Sequence, residues 1–209
     1  MRLWMPAGWT PWLCWEAGCW ERQLVYAVVT TVVKGGKGTG VREWLFGPTP
    51  IQTTFAEQTR RTKYTLFGGA KAVTKSYGLR WLLYRDCIRI PRLRCLLLRR
   101  TYGELESSHL LDMPGEAEKL RPVGAQYVVG MREMRFGNDA LIRAGHCETD
   151  SDVAKFLSTQ WDRIAFDELV TFPLQMFLAI MSCARSAKDV VMAEGGAQVW
   201  GAPNPGGRG

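Results

Sequence analysis

The sequence predicts an α/β domain built on a mostly parallel central sheet flanked by helices. Three observations predict it. From residue 48 onward, short β-prone runs alternate with stretches of helical period, as a parallel sheet with crossover helices requires. At 64–76 a short apolar strand runs into a glycine-bearing loop and then into Lys75-Ser76, which opens a helix. At 163–168 a second apolar strand ends directly in Asp167-Glu168. The size agrees: 209 residues, 46% hydrophobic and 22% charged, suit one domain of ordinary size plus an extra segment and exclude a disordered polyelectrolyte.

The extra segment comes first. Residues 1–47 hold five of the nine tryptophans within the first 20 positions, mixed with Pro, Gly and two Cys, and no helical or strand period persists there. This is read as a Trp/Gly-rich N-terminal extension, either a partner surface or a poorly ordered segment such as a misassigned start would give. Its β-prone run at 24–33 is too short to span a bilayer and contains Thr30 and Thr31, so no membrane partner is expected. The glycine run at 34–40 has no Gly-Lys-Ser/Thr at the right offset and is read as a flexible connector.

The expected domain occupies 48–209. A Pro-rich turn at 48–52 leads into a short helix at 53–59, followed by a strand at 64–67 and a helix at 76–90. Leu79, Leu82, Leu83 and Cys87 recur at helical spacing on that helix, and Pro91 stops it. The nearly continuous apolar run at 93–98 suits a strand buried on both faces. Thr101, with Glu104 three residues on, predicts a capping box for a helix reaching 111, with a second short helix at 114–120. Strands at 126–129, 131–136 and 140–144 form a small β-hairpin insertion, the last two joined by the turn Gly137-Asn-Asp139. A helix at 150–157, a strand at 163–166, a helix at 173–184, a strand at 198–202 and a Pro/Gly loop at 203–209 complete the chain.

The net charge of +7 favours an anionic partner, a nucleotide or a nucleic acid. The six cysteines stand at 14, 19, 87, 95, 147 and 183 without a Cys-x-x-Cys pair, and only His109 and His146 add soft ligands, which argues against structural zinc. Cys87 and Cys95 lie in apolar surroundings and read as small core residues of a protein kept in a reducing cytosol.

The stretch 64–76 has the layout of a phosphate-binding loop. In such a loop the backbone N–H groups and the helix N-terminus face an anion, the Lys reaches the outer phosphates, and the Ser hydroxyl binds Mg²⁺. The usual pattern is Gly-x-x-x-x-Gly-Lys-Ser/Thr. Here Gly69 fills the first position and Lys75 and Ser76 the last two, but Thr74 stands where the second Gly belongs. A residue with a Cβ resists the positive φ that Gly would adopt there and adds bulk near the β-phosphate. The expected nucleotide-binding segment is Gly68, Gly69, Ala70, Lys71, Ala72, Val73, Thr74, Lys75 and Ser76. Asp167, at a strand's C-terminal end, can hold the Mg²⁺ that also touches Ser76. Glu168 beside it can orient and deprotonate an attacking water. The strand at 93–98 between the two motifs, and a glutamate next to the aspartate, mark the branch of P-loop NTPases that includes helicases, recombinases and DNA translocases. A last strand runs toward Asn204, whose amide can hydrogen-bond a phosphate oxygen or the attacking water.

Five blocks then resemble, in order and spacing, the large terminase subunit of tailed bacteriophages: Phe67-Gly-Gly-Ala-Lys-Ala-Val-Thr-Lys-Ser76, Leu96-Leu-Leu-Arg-Arg-Thr-Tyr102-Gly-Glu-Leu-Glu106, Gly145-His-Cys-Glu148 with Asp152-Val, Trp161-Asp-Arg-Ile-Ala-Phe-Asp-Glu168, and Asn204-Pro-Gly-Gly207. They cover the ATPase portion of that family. The resemblance implies a Mg²⁺-dependent ATPase that drives packaging of viral double-stranded DNA into a procapsid, in the cytoplasm of an infected bacterial host. It implies a portal protein and a small terminase subunit as partners, and a homo-oligomeric ring. It also implies residue roles: Lys71 as an early basic phosphate contact, catalytic together with Lys75 and Glu168; Ser76 and Asp167 on the metal; Asn204 in the coupling motif; Gln52 in the adenine-contacting segment. Arg99 and Arg100, which end the second strand, and Arg185 are candidate arginines for phosphates or a neighbouring subunit. The family's C-terminal nuclease carboxylates have no counterpart here, so the expectation is an ATPase domain truncated after its coupling motif, without nuclease activity. Two other readings stay open: a degenerate P-loop fragment that binds nucleotide or DNA without efficient catalysis, and another helicase- or recombinase-like translocase.

Overall fold

The computed structural model describes residues 48–60, 62–68 and 74–203. The extension 1–47, the loop residues Gly69, Ala70, Lys71, Ala72 and Val73, and Asn204 lie outside the described residues.

Seven strands form one sheet: β1 (Tyr64–Leu66), β2 (Arg94–Arg99), β3 (Gln126–Val128), β4 (Glu133–Arg135), β5 (Leu141–His146), β6 (Arg163–Asp167) and β7 (Gln198–Ala202). Their spatial order is β1-β7-β6-β2-β5-β4-β3. The first five in that order run parallel, and the β4–β3 hairpin joins antiparallel at the β5 edge. β2 and β6 are apolar in sequence because they lie at the centre of the sheet; every residue of β6, and all of β2 after Arg94, is buried. The register pairs Leu66 with Gly201, Asp167 with Ala202, and Arg99 with His146. The C-terminal ends of the parallel strands therefore form one edge, where open α/β sheets place ligands.

Helix α1 (Pro50–Thr59) precedes β1, and α2 (Lys75–Arg89) follows the loop. Leu79, Leu82, Leu83 and Cys87 of α2 are all fully buried, as their spacing predicts. The opposite face of the sheet is covered by a core of Leu96, Phe156, Trp161, Ile164, Phe166 and Ile180, drawn partly from α5 (Asp150–Leu157) and α6 (Leu174–Met181). The short helix α7 (Asp189–Ala193), which the sequence pattern did not mark, precedes β7. No helix among the described residues is long and apolar enough to cross a membrane.

Three boundaries differ from expectation. α1 begins at Pro50 rather than 53, because Thr49 is its N-cap: the Thr49 side chain accepts from Gln52 N–H, and the Gln52 side chain accepts from Thr49 N–H. The two helices expected at 101–111 and 114–120 are one helical run, α3 (Tyr102–Leu105), a π turn (Glu106–Leu110) and α4 (Leu111–Lys119), with Pro114 inside. A proline gives no N–H to the carbonyl four residues back, yet the run continues through Pro114 after the wider turn that ends at Leu110. The strand expected at 131–136 shrinks to β4, because Val129–Met131 form a 3₁₀ turn and Arg132 takes φ +53°.

Candidate nucleotide site

Ser76 lies in the first turn of α2, and its hydroxyl is near enough to the Asp167 carboxyl at the end of β6 to help lower its pKa. Lys75 is buried, and its Nζ donates to the carbonyl of Pro203, just beyond β7, at 2.9 Å. The loop-to-helix junction, β6 and β7 thus converge at one end of the sheet, as the parallel register requires. Asp167 is 2% exposed. Its Oδ1 accepts from the backbone N–H of Glu168 at 3.1 Å and its Oδ2 from His109 Nε2 at 3.0 Å. Burial pushes the Asp167 carboxyl up, but the His109 hydrogen bond, Arg99 and the Ser76 hydroxyl outweigh it and hold the group below the usual carboxylate value.

Arg99, the last residue of β2, lies against both acidic residues. Its Nη1 is 2.9 Å from Glu168 Oε2, and its Nε is 2.9 Å from Asp167 Oδ2. The second contact is an ion pair without alignment, since Nε finds no hydrogen-bond partner. One guanidinium therefore bridges two adjacent carboxylates and offsets part of their mutual repulsion. Glu168 sits at φ +54°, ψ +50°, the left-handed region, which turns the chain sharply after β6 and leaves its side chain half-buried beside Asp167.

Thr74 also occupies the left-handed region, at φ +33°, ψ +37°. This is the conformation that a threonine adopts at a cost of about 1–2 kcal/mol and a glycine adopts freely. Gln52 holds it there. Buried to 1% exposure, Gln52 donates from Nε2 to both the Thr74 carbonyl and the Thr74 Oγ1, each at 2.9 Å, while its Oε1 caps Thr49. Gly78 makes this possible: a Cβ at that position would lie 3.1 Å from both Gln52 Cγ and Phe67 Cε1. The Gln52 amide is thus engaged with the loop's end.

Behind Asp167 lies a buried polar chain that the sequence reading missed. His109, in the π turn, is fully buried between Asp167 and Arg80 of α2, with Nδ1 3.1 Å from Arg80 Nη1. Arg80 is held by Glu116 through Nε and Nη2, each at 2.9 Å, and by Asp112 at 2.5 Å; Tyr84 donates to Glu116 at 2.6 Å. Burial, with Arg80 and Arg99 nearby, draws the His109 pKa below its ordinary value against the pull of Asp167. The only trace in the sequence is a polar residue at a core-facing position of each helix.

The remaining candidates sit apart. Arg100 donates from Nη1 to the Cys147 carbonyl after β5. Arg185 is exposed and adjoins the Trp161–Ala184 bridge, beyond the N-terminal end of β6 and so at the far side of the sheet from Asp167.

The start of a helix opened by Lys75-Ser76 and the end of a parallel strand that closes on Asp167 thus meet at one edge of the sheet. Solved structures with this fold include the large terminase of a thermophilic bacteriophage (TM-score 0.61, 12% identity over 76% of this chain and 40% of that one), also determined in complex with ADP (TM-score 0.56, 12% identity, 75% and 38%). The large terminase of bacteriophage HK97 (TM-score 0.60, 11% identity, 87% and 37%) and the large-terminase ATPase domain of Thermus phage P74-26 (TM-score 0.55, 15% identity, 76% and 66%) are also similar. The chain spans about 40% of the first of these terminases and 37% of the HK97 terminase. No family model and no curated protein sequence matches it. The fold is that of the large-terminase ATPase domains.

Proposed function

We propose that this chain is the ATP-hydrolysing motor domain of a phage terminase large subunit, which drives viral double-stranded DNA into a procapsid. The observation that carries the proposal is the meeting of the Lys75-Ser76 helix start, bonded through Lys75 to the Pro203 carbonyl beyond β7, with Asp167 and Glu168 at the end of β6, on a fold shared with large-terminase ATPases. The ADP complex of the thermophilic-phage large terminase supports ATP as the substrate. A portal protein, a small terminase subunit and further copies of the chain in a ring are the corresponding partners, in the cytoplasm of an infected bacterium.

Mg²⁺ fits the donors present. Ser76 Oγ and the Asp167 carboxylate are hard oxygen donors that lie near one another, and Mg²⁺ commonly takes one or two such protein ligands plus phosphates. Bound there, it would neutralise charge on the transferring phosphoryl group. Lys75, with Lys71 earlier in the loop, serves the phosphates. Glu168 orients and deprotonates the attacking water, and Arg99 holds Glu168 in place. Asn204, next to the Pro203 carbonyl that Lys75 bonds, serves as the sensor of the γ-phosphate. The test is turnover of ATP with Mg²⁺ by wild type and Glu168→Gln. The variant is expected to lose about 10²–10⁴-fold in turnover and to keep its melting temperature; equal turnover would sink the assignment of Glu168.

Thr74 favours a second reading, a weak nucleotide binder with little catalysis. Thermal stabilisation by ATP with Mg²⁺ separates the two, since a ligand at 100 times its Kd adds about 2.7 kcal/mol. No shift would favour the degenerate site.

A further inference from the structure

We infer that His109 is a positioning residue of the nucleotide site: its Nε2–H orients the Asp167 carboxylate, and Arg80 and the π turn hold it in that role. The inference rests on the reading of Asp167 as the carboxylate that holds the cation.

The proton's position follows from the partners. A guanidinium has donors only, so Arg80 Nη1 can face His109 Nδ1 only as donor to acceptor. The ring proton is then on Nε2, facing Asp167 Oδ2 at 3.0 Å. Arg80 cannot swing away, because Glu116 and Asp112 hold it and Tyr84 holds Glu116. The tautomer is thus set by a chain of hydrogen bonds that starts on α2 and α4.

The π turn does the rest. In a regular helix each four-residue step drifts by about 40° around the axis. From 105 through 109 and 113 to 117, that drift would carry the last residue off the first one's face. The extra residue in the turn Glu106–Leu110 takes up the drift. Leu105, His109, Met113 and Ala117 are all buried, and the ring reaches Asp167.

The arrangement answers a need of the site. Arg99 Nε approaches the same Oδ2 without an aligned hydrogen bond, so the aligned donor to that oxygen is the imidazole. An aligned N–H at 3.0 Å fixes the carboxylate's plane. Loss of such an outer partner typically weakens metal binding by 10–100-fold.

The test compares His109→Asn with His109→Gln in the full chain. The Gln amide places its N–H near the position of Nε2, whereas the Asn amide reaches only that of Nδ1. Each variant drops one hydrogen bond of the chain, so both should melt at similar temperatures. Mn²⁺ affinity in the presence of a non-hydrolysable ATP analogue, read from the free-Mn²⁺ electron paramagnetic resonance signal, should fall about 10–100-fold in His109→Asn and stay within about threefold of wild type in His109→Gln. The Mg²⁺ concentration for half-maximal turnover should follow the same order. Two folded variants that both bind Mn²⁺ like wild type, or that are equally weakened, would overturn the inference and leave His109 a core residue. A wild-type chain that binds no Mn²⁺ with the analogue would fail one step earlier, at the reading of Asp167.

Discussion

Helix α2 carries two buried ionic networks, and they differ in where they end. Near its start, Arg80 is tied to Glu116 and Asp112 and reaches Asp167 through His109. Near its end, Asp86 accepts from Arg85 at 2.7 Å and from Arg163 Nε at 2.9 Å; Arg163 opens β6, donates to the carbonyls of Asp162 and Gly196, and lies over the Trp200 ring. The same chemistry joins helix to strand in both places. The far network ends on backbone carbonyls and an indole, so it serves packing alone. The near network ends on a carboxylate at the ligand edge of the sheet. Burial of charge is therefore no sign of function by itself; the group at the end of the chain decides.

The far network should cost the most stability when broken. Asp86→Ala leaves the Arg163 charge buried and unpaired, a loss of about 3–5 kcal/mol that lowers the melting temperature by roughly 6–20 °C in a domain of this size. ATP turnover measured well below that temperature should change little. A variant that melts normally but loses turnover would invert the comparison. The same pair sets an acid limit. Burial pushes the Asp86 carboxyl up, but Arg85 and Arg163 outweigh it and hold it below its ordinary value. Its folded pKa is thus below its unfolded one. The stabilisation is complete above the unfolded value of about 3.9 and is lost as pH falls through the folded value. Urea titrations at falling pH should show this acid-side loss in wild type and a smaller one in Asp86→Asn.

A smaller effect is expected at the loop's end. Gln52→Ala removes two hydrogen bonds to Thr74 and should weaken nucleotide binding or stability by about 1–3 kcal/mol. Thr74→Gly removes the conformational cost that Gln52 offsets, so in the Thr74→Gly background the Gln52→Ala penalty should shrink. An undiminished penalty, with a changed preference for ATP over GTP, would return Gln52 to the adenine. The smallest effect belongs to the hairpin. Arg135 and Arg143 both pair with the buried Glu133, but Arg135 is half-exposed, so Arg135→Ala should cost under about 1 kcal/mol by chemical denaturation.

Much of the scaffold was legible because it is written in local period. The spacing of Leu79, Leu82, Leu83 and Cys87, the apolar runs of β2 and β6, and the capping box at Thr101 each describe neighbours in sequence. Ser76, Asp167 and Glu168 were legible because strand ends and helix starts of a parallel sheet meet at one edge by topology. The π turn was not legible, since Pro114 suggested a break between two helices.

The sequence by itself determined the class of fold, the strand–loop–helix stretch and the pair of carboxylates, because hydrophobic period and motif spacing act along the chain. Only the tertiary structure decided that Gln52 grips Thr74, that Arg99 spans Asp167 and Glu168, and that His109 stands behind Asp167. Those partners lie 22, 58 and more residues apart. Side chains so distant in sequence meet only when α2, the π turn and the ends of β2 and β6 have packed, so their pairing is a property of the packed sheet rather than of any one segment.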